Sequence, residues 1–424
     1  MVLKYRYQPM KAVYLLGGAL WLLCRIPFWI IRNLLPAWRP HRRWSFGRAF
    51  AVELTEAAIA LMFETSIPSS ETIESLAARA DANGFVWVDP FPEDLIVADI
   101  KRMAEVNMVE PARTGGCWYG AKNSDGSVGF KAAPGEKVFY MMHGKHCIQR
   151  VFFVVLMPFW VVGGGFIMGN SAPSYPPAAI VAQGLLEHVK HVPRLFASEY
   201  RIAAGPPLPI INPFPAAMLD VLAGYHYLIH QLNFAPENII VVGDSAGGVL
   251  GYQLVRYCTQ YSSVLPSGVL PVPGALLMLS PSADSAFHVV PGSSMVINKR
   301  SDYVQYMYSA LNSMRPLLGH LPGTELDQPW LSPGSPKVAD NDKCLEGIFK
   351  SFSRTMIVAG EAEMGRDPMR LLRGRMDQEM GDDHVYYLEV EDAPHNFLGL
   401  QGGSLWEPER TFALEEIARW VDSL

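Results

Sequence analysis

The order of apolar and polar positions along the chain predicts alternating strands and helices over most of its length. Short apolar runs rich in β-branched residues predict strands near residues 138–142, 196–200, 239–242, 275–279, 355–360 and 385–390. Helical patterns separate these runs, and two more predict helices over residues 44–65 and 71–83. Such alternation indicates an α/β fold with a mostly parallel, doubly wound sheet.

The N-terminal region has a different pattern. Residues 12–31 are almost entirely apolar, which is just long enough for a bilayer-spanning helix. Arg25 and Pro27 interrupt this run, so a kinked, shallow or hairpin insertion is an alternative. No small-residue cleavage site precedes the basic flank, which argues against a cleaved signal peptide. We therefore expect a membrane anchor over residues 1–43 and one large domain over residues 44–424.

The flanks of this anchor bear on its orientation. A basic, tryptophan-containing flank follows it, a combination typical of a cytoplasmic interface. It consists of Arg32, Arg39, Arg42 and Arg43 with Trp38 and Trp44. The preceding flank is also positive, with Lys4, Arg6 and Lys11, so the opposite orientation stays open. The interpretation we favour is an endoplasmic-reticulum membrane protein whose body faces the cytosol.

The motif that carries the chemistry is G-D-S-A-G at residues 243–247. A predicted strand ends directly before it and a predicted helix begins directly after it, the context of a nucleophile elbow. An ordinary glycine-rich turn between strand and helix is the alternative. The motif predicts Ser245 as a nucleophile that needs a neighbouring base.

His395 is the candidate base. It follows the predicted strand at residues 385–390 and lies in a turn marked by Asp, Pro and Asn. His384 precedes that strand, at the wrong end for the same role. A lone loop histidine is often only a solvated surface residue, but His395 comes last in the order serine, acid, histidine that such triads follow.

The acid is expected after the strand at residues 355–360, where three carboxylates compete. Glu363 lies three residues past Gly360, and we favour it as the residue that orients His395. Asp367 is the reserve acid, although an N-cap role in the following helix also explains it. Glu361 is expected to be a solvated loop charge.

Composition excludes several other functions. The net charge is −6, half of the residues are hydrophobic, and no basic patch with interleaved aromatics occurs, so a nucleic-acid partner is not expected. The five cysteines contain no C-x-x-C pair, which favours free thiols over a metal site or a disulfide framework. We expect no cofactor and no metal ion.

These motifs resemble those of the hormone-sensitive-lipase-like branch of α/β-hydrolases. The likeness rests on residues 243–248 and on P-H-N-F at 394–397, with weaker support from residues 200–203 and 214–217. It is closest to fungal membrane-anchored esterases similar to steryl acetyl hydrolases. The resemblance implies an α/β-hydrolase fold, with residues 44–136 supplying a helical cap and N-terminal strands. It also aligns Glu363 with the acid of that family and Asp367 with a second conserved Asp.

The oxyanion loop departs from that family, in which H-G-G-G-F follows a strand. Here Val162 precedes G-G-G-F, whereas His143 and Gly144 follow the strand at residues 138–142. Removing residues 145–163 joins the halves and restores the motif, so we interpret this segment as a translated intron with a GGTAAGCA-type donor site. The alternative is a genuine insertion with a buried strand over residues 151–162. The predicted oxyanion donors are Gly164, Gly165 and Ala246.

The function predicted is a serine carboxylic-ester hydrolase acting on a small lipophilic ester such as an acetylated sterol or terpenoid. Two alternatives remain open at this point. One is a specialised-metabolism enzyme that uses the same triad for lactone, thioester or non-hydrolytic chemistry. The other is a non-catalytic membrane-bound binding protein, which the interrupted oxyanion motif would favour.

Overall fold

The computed structural model describes residues 3–66, 71–144, 169–309, 314–338, 345–400 and 405–424. Three of the sequence predictions lie outside these residues: the segment 145–163 with its alternative strand over 151–162, and the oxyanion donors Gly164 and Gly165. The remaining site residues are all described.

The described residues form one eight-stranded sheet with the order β1-β2-β4-β3-β5-β6-β7-β8. β1, β2 and β4 pair antiparallel, and the strands from β4 through β3 to β8 pair in parallel. The strands are β1 Phe85–Val88, β2 Thr114–Gly120, β3 Val138–Met142, β4 Arg194–Glu199, β5 Ile239–Asp244, β6 Ala275–Leu279, β7 Arg354–Gly360 and β8 Val385–Val390. The six strands predicted from the sequence are confirmed as β3 to β8.

Helices cover this sheet. The α-helices are α1 Met10–Leu34, α2 Phe46–Thr65, α3 Ile73–Ala77, α4 Ala80–Asn83, α5 Ala98–Asn107, α6 Pro176–His188, α7 Ala216–His230, α8 Ala246–Gln260, α9 Ser294–Ile297, α10 Gln305–Ser309, α11 Arg315–Leu318, α12 Arg366–Met380 and α13 Glu409–Asp422. α7 packs on α8, and α6 packs on α13, and each pair contacts the sheet. Every residue of β4, β5 and β6 is buried, which requires cover on both faces.

The single helix expected over residues 71–83 is wrong in detail. The chain forms α3 and α4 instead, because Arg79 has a non-helical backbone between them (φ −120°, ψ 35°). Each piece buries one residue, Leu76 in α3 and Asn83 in α4. Both helices contact the edge strand β1.

The N-terminal run forms α1, a continuous helix of 25 residues that contains Pro27. It is long and apolar enough to cross a membrane, judged by length and composition alone. Its packing against α2 buries Leu22 and Trp29 beside Ala57. Much of the rest of α1 is exposed, for example Leu16 at 67% and Ile31 at 63%. Exposed apolar patches of this kind are typical of protein–protein or membrane interaction sites.

Candidate active site

Ser245 lies in a tight turn between β5 and α8. Its backbone has φ 53° and ψ −112°, a conformation that non-glycine residues rarely adopt. The neighbouring glycines allow this turn to pack closely: a Cβ at Gly243 would collide with the carbonyl oxygen of Gly247, and a Cβ at Gly247 would collide with that of Met142. The prediction of a sharp strand-to-helix turn at Ser245 is thus matched by the backbone.

Three predicted side chains form a hydrogen-bonded chain in the interior. Ser245 Oγ lies 2.9 Å from His395 Nε2, and His395 Nδ1 lies 2.9 Å from Glu363 Oε2. Only 8% of Ser245, 3% of His395 and none of Glu363 is exposed. If Glu363 is ionised, Nδ1 carries the proton and donates to the carboxylate. Nε2 is then left to accept the hydroxyl proton of Ser245, the arrangement that general-base catalysis requires.

The other oxygen of Glu363 is also held. Glu363 Oε1 accepts hydrogen bonds from the Ser280 hydroxyl and from the Gly360 N–H, each at 2.6 Å. Ser280 directly follows β6, so three neighbouring strand ends contribute to one carboxylate and its partner histidine. Donors at both oxygens fix the plane of the carboxylate, and this fixes the orientation of the imidazole.

The structure separates the three competing carboxylates. Asp367 lies in the first turn of α12 and accepts the N–H of Ser294 at 2.7 Å. The N-cap role considered for Asp367 is wrong, because Gly365 is the N-cap residue. The expectation of a solvated Glu361 is also wrong, since its carboxylate accepts a hydrogen bond from the Asp392 N–H and forms a short ion pair with Arg43. Of the three, Glu363 is the one that contacts His395.

Electrostatics favour the protonated form of His395. Burial by itself would lower its pKa, but the hydrogen bond and charge of Glu363, reinforced by Asp302 and Asp244, outweigh burial. The pKa of His395 is therefore raised above the ordinary value of 6.5. A base with a raised pKa binds the Ser245 proton more strongly, which stabilises the imidazolium formed in the attack.

A segment after β6 supports these hydrogen bonds, and no motif in the sequence had indicated it. We call residues 294–303 the bracing segment. Asn298 donates to the carbonyl oxygen of Glu363 at 2.8 Å, and Asp302 accepts the Met364 N–H at 2.7 Å. Tyr303 donates from its hydroxyl to the carbonyl oxygen of His395 at 2.7 Å. The segment thus holds the backbone on both sides of the Glu363–His395 pair.

Asp302 is the unusual member of the bracing segment because it is an acid with no exposed surface. Burial raises its pKa to about 6, although the charge of His395 opposes this rise. The sequence signal available for this segment was only the regular spacing of Ser294, Asn298 and Asp302, four residues apart. That spacing suggests a helix face, but α9 ends at Ile297 and the contacts form in an irregular stretch.

One of the three predicted oxyanion donors, Ala246, lies among the residues that the structure describes. It is fully buried and begins α8. The first N–H groups of a helix lack intrahelical acceptors, so that of Ala246 is suited to bind an anion. Gly164 and Gly165 lie outside the described residues.

His143 follows β3 and lies beside the elbow. Its ring, 1% exposed, stacks on Tyr200 at 5.0 Å between centroids, and the Tyr200 hydroxyl donates to the His143 carbonyl oxygen at 2.7 Å. Gly144 directly follows His143. The displaced half of the oxyanion motif therefore lies at the carboxyl end of a central strand.

The described residues contain one group whose ligand atoms could meet at a metal ion: His41, Glu361 and Asp392. The Arg43 guanidinium bonds both carboxylates of this group. A cation would have to compete with a positive charge already in place. The group is also separate from Ser245, so it does not extend the candidate active site.

Comparison with known families agrees with this fold. A family described as the alpha/beta hydrolase fold matches residues 159–399, more than half of the chain. The chain belongs to the α/β-hydrolase fold family. This family, together with the esterase relative described below, assigns the chain to the carboxylic ester hydrolases. The match begins within the segment 145–163 and leaves β3 outside, although β3 lies between β4 and β5 in the sheet.

Several individual proteins are similar to this hydrolase. An esterase of Acinetobacter venetianus is 24% identical over 345 residues, which is 80% of this chain and 98% of that protein. The crystal structure of a hormone-sensitive lipase from a metagenome library superposes with a TM-score of 0.51 at 20% identity, covering 73% of this chain and 82% of that one. Carboxyl esterase 2 of Tuber melanosporum has a TM-score of 0.50 at 17% identity, covering 72% and 81%. At these sequence identities the two structures support the fold assignment alone.

Proposed function

We propose that this hydrolase cleaves carboxylic esters through a triad of Ser245, His395 and Glu363. Ser245 attacks the acyl carbonyl while His395 takes its proton, and His395 then returns a proton to the leaving alcohol. Water attacks the acyl-enzyme in the second half of the reaction, again with His395 as base. The observation that carries the proposal is the buried hydrogen-bonded chain at the elbow, with both links at 2.9 Å.

Each half of this reaction forms a tetrahedral oxyanion. We assign its stabilisation to the N–H of Ala246 and to those of Gly164 and Gly165, the latter two on the basis of the sequence motif alone. A single donor of this kind lowers the barrier by about 3 kcal/mol. No cofactor enters any step of this scheme.

We infer that the substrate is a lipophilic ester, such as an acetylated sterol or terpenoid. The inference is supported by the exposed apolar surface of α1 and by the resemblance to membrane-anchored fungal esterases similar to steryl acetyl hydrolases. The same features favour a protein anchored through α1, and we propose the endoplasmic-reticulum membrane with the body in the cytosol. The esterase of Acinetobacter venetianus is consistent with ester chemistry.

Hydrolysis of p-nitrophenyl acetate by the purified chain tests the proposal, with the Ser245→Ala variant as the blank. Activity above the blank, together with labelling of Ser245 by a fluorophosphonate, supports a serine esterase. Labelling without ester hydrolysis would favour the alternative of lactone, thioester or non-hydrolytic chemistry. If Ser245 is not labelled and no ester is hydrolysed, either by the full chain or by the shortened form described next, the protein is better explained as a membrane-bound binding protein.

Deletion of residues 145–163 is expected to raise kcat for p-nitrophenyl acetate by about 100-fold or more, the usual effect of one oxyanion donor. The described flanks are close enough to be joined: the His143 Nε2 lies 3.9 Å from Glu199 Oε2, and the Ser171 N–H donates to the same oxygen at 2.6 Å. Residues 164–168 would then link Gly144 to Gly169, and five residues can extend over roughly 17 Å.

This deletion has two further readouts. The circular-dichroism spectrum and the melting temperature of the shortened form should show that it folds. Sequencing should show that the spliced transcript lacks codons 145–163. Equal activity of the two forms, or a mature transcript that retains these codons, would contradict the intron interpretation and leave a genuine insertion.

The pH dependence of kcat/KM should show a single acid limb with its midpoint above pH 6.5. His395 must be neutral to accept the Ser245 proton, and its pKa is raised, so it stays protonated and inactive to a higher pH than an ordinary histidine. Initial rates measured from pH 5 to pH 9 would locate the limb. A midpoint below pH 6.5 would mean that burial, rather than Glu363, dominates the pKa of His395.

A further inference from the structure

The short stretch between α1 and α2 touches the two loops that carry the candidate acid and base. We call residues 361–365, after β7, the acid loop and residues 391–396, after β8, the histidine loop. Backbone hydrogen bonds already hold the acid loop there. The Glu361 N–H donates to the carbonyl of Val390, the last residue of β8, at 2.9 Å, and the Ala362 N–H donates to the Ala393 carbonyl of the histidine loop at 3.0 Å. The two loops thus continue the pairing of β7 with β8.

Arg43 bridges both loops from outside. Its guanidinium donates to Glu361 of the acid loop at 2.6 Å and to Asp392 of the histidine loop at 2.8 Å, and it reaches Glu391 at 3.2 Å. Without it, three carboxylates would crowd at one place and repel each other. An exposed ion pair by itself contributes little. One rigid guanidinium that binds two separate loops, however, restricts their relative position.

Trp44 makes the second contact. Its indole N–H donates to the carbonyl oxygen of Asp392 at 2.7 Å, and the side chain is fully buried against Trp406, with ring centroids 5.5 Å apart. Asp392 is three residues from His395 in the sequence, and Glu361, which Arg43 binds, is two residues from Glu363. Arg43 and Trp44 therefore hold the backbone immediately beside both members of the Glu363–His395 pair.

The lowered pKa of Glu361 agrees with a stabilising contact between its carboxylate and Arg43. Burial acts to raise the pKa of Glu361, but the hydrogen bond from the Asp392 N–H and the charge of Arg43 outweigh burial and lower it. Arg39 extends the connection to α1: it donates to the Asn33 carbonyl at 2.8 Å and to the Trp44 carbonyl at 2.6 Å. Arg39 and Arg43, which the sequence suggested as membrane-interface residues, are thus engaged with the protein itself.

We propose that Arg43 and Trp44 are positioning residues, which hold the acid loop against the histidine loop and thereby set the alignment of Glu363 with His395. The segment that follows the N-terminal helix is then part of what makes the site competent, and α1 is coupled to it through Arg39. This inference rests on the proposed function, because alignment matters only if His395 acts as a base.

The test uses Arg43→Gln, Arg43→Lys and Trp44→Phe in whichever chain form, full or shortened, shows hydrolysis that depends on Ser245. For Arg43→Gln, kcat should fall by about tenfold with KM within about twofold, since a misplacement of about 1 Å can cost up to 100-fold. Arg43→Lys should recover part of this loss, because it restores the charge without the fork. Trp44→Phe should lower kcat in the same direction while keeping most of the packing.

Arg373→Gln is the matched control. Arg373 is an arginine of similar exposure, 46% against 49% for Arg43, and it pairs with Asp377 within α12. Its kcat should equal that of the unmodified chain. An unchanged kcat for Arg43→Gln, a change in KM alone, or an equal loss in the control would overturn the proposal.

Hydrogen exchange separates failure of this inference from failure of the proposed function. The amides of Asp392, Ala393, His395 and Asn396 should exchange faster in Arg43→Gln than in the unmodified chain or in Arg373→Gln. If the unmodified protein hydrolyses no ester, the proposed function fails, and unchanged exchange at these amides would overturn the positioning role as well. If the protein is active and Arg43→Gln matches it in kcat, only the positioning role fails.

Discussion

Replacing Ser245 with alanine will lower kcat for ester hydrolysis by on the order of 10⁶-fold, to the level of the blank reaction. The hydroxyl oxygen is the only atom removed, and it lies 2.9 Å from His395 Nε2 at the end of the buried hydrogen-bonded chain. No acyl-enzyme can form without it. Binding of a substrate analogue should persist, because the rest of the site is unchanged.

The measurement is steady-state hydrolysis of p-nitrophenyl acetate, with fluorophosphonate labelling followed by mass spectrometry. Ser353→Ala is the matched control: Ser353 is also buried, but it precedes β7 at the opposite end of the sheet and donates to the Pro273 carbonyl. Ser353→Ala should retain activity. The strained backbone at Ser245 persists only through its surroundings, so the melting temperature of Ser245→Ala should not fall. Residual activity within about tenfold of the unmodified chain would exclude Ser245 as the nucleophile.

Replacing Glu363 with glutamine will lower kcat by about 10⁴-fold, the loss expected when the orienting acid of a triad becomes an amide. The side chain keeps its size, but an amide can present an N–H to His395 Nδ1 and so favour the wrong tautomer. It also removes the negative charge that raises the pKa of His395. The acid limb of the remaining activity should therefore move to lower pH.

Asp367→Asn distinguishes the two carboxylates that the sequence left in competition. Asp367 binds the Ser294 N–H at 2.7 Å and not the histidine, so kcat should change by less than about threefold, with at most a small loss of stability. The same assays and a melting curve check both variants. A large loss in Asp367→Asn with a mild effect of Glu363→Gln would reverse the assignment and make Asp367 the acid.

The bracing segment shows why part of the site could not be predicted from the sequence. Tyr303 binds the His395 carbonyl across 92 residues, and Ser280 binds Glu363 across 83. A serine or a tyrosine in the sequence does not indicate a buried contact, since serine is mostly exposed in proteins and tyrosine is intermediate.

Arg43 shows the same limit in a sharper form. Its position after an apolar helix suggested a membrane flank, and by local rules that was the reasonable interpretation. Its contacts with Glu361, Glu391 and Asp392 span more than 300 residues, so only the folded chain could bring them together. The correction to Glu361, which is part of this ionic contact rather than a solvated charge, follows from the same fact.

The sequence by itself determined the strands β3 to β8, the parallel sheet, the elbow at Ser245 and the turn that carries His395, because each depends on local periodicity or on short-range turn chemistry. The sequence favoured Glu363 but left three carboxylates in competition, since Glu361, Glu363 and Asp367 are only two to six residues apart. The tertiary structure decided which of them contacts His395, because it sets the direction of each side chain. It also decided which distant side chains hold that pair in place. The direction of a side chain and its contacts with residues distant in sequence are set by packing of the whole chain, and no local pattern encodes them.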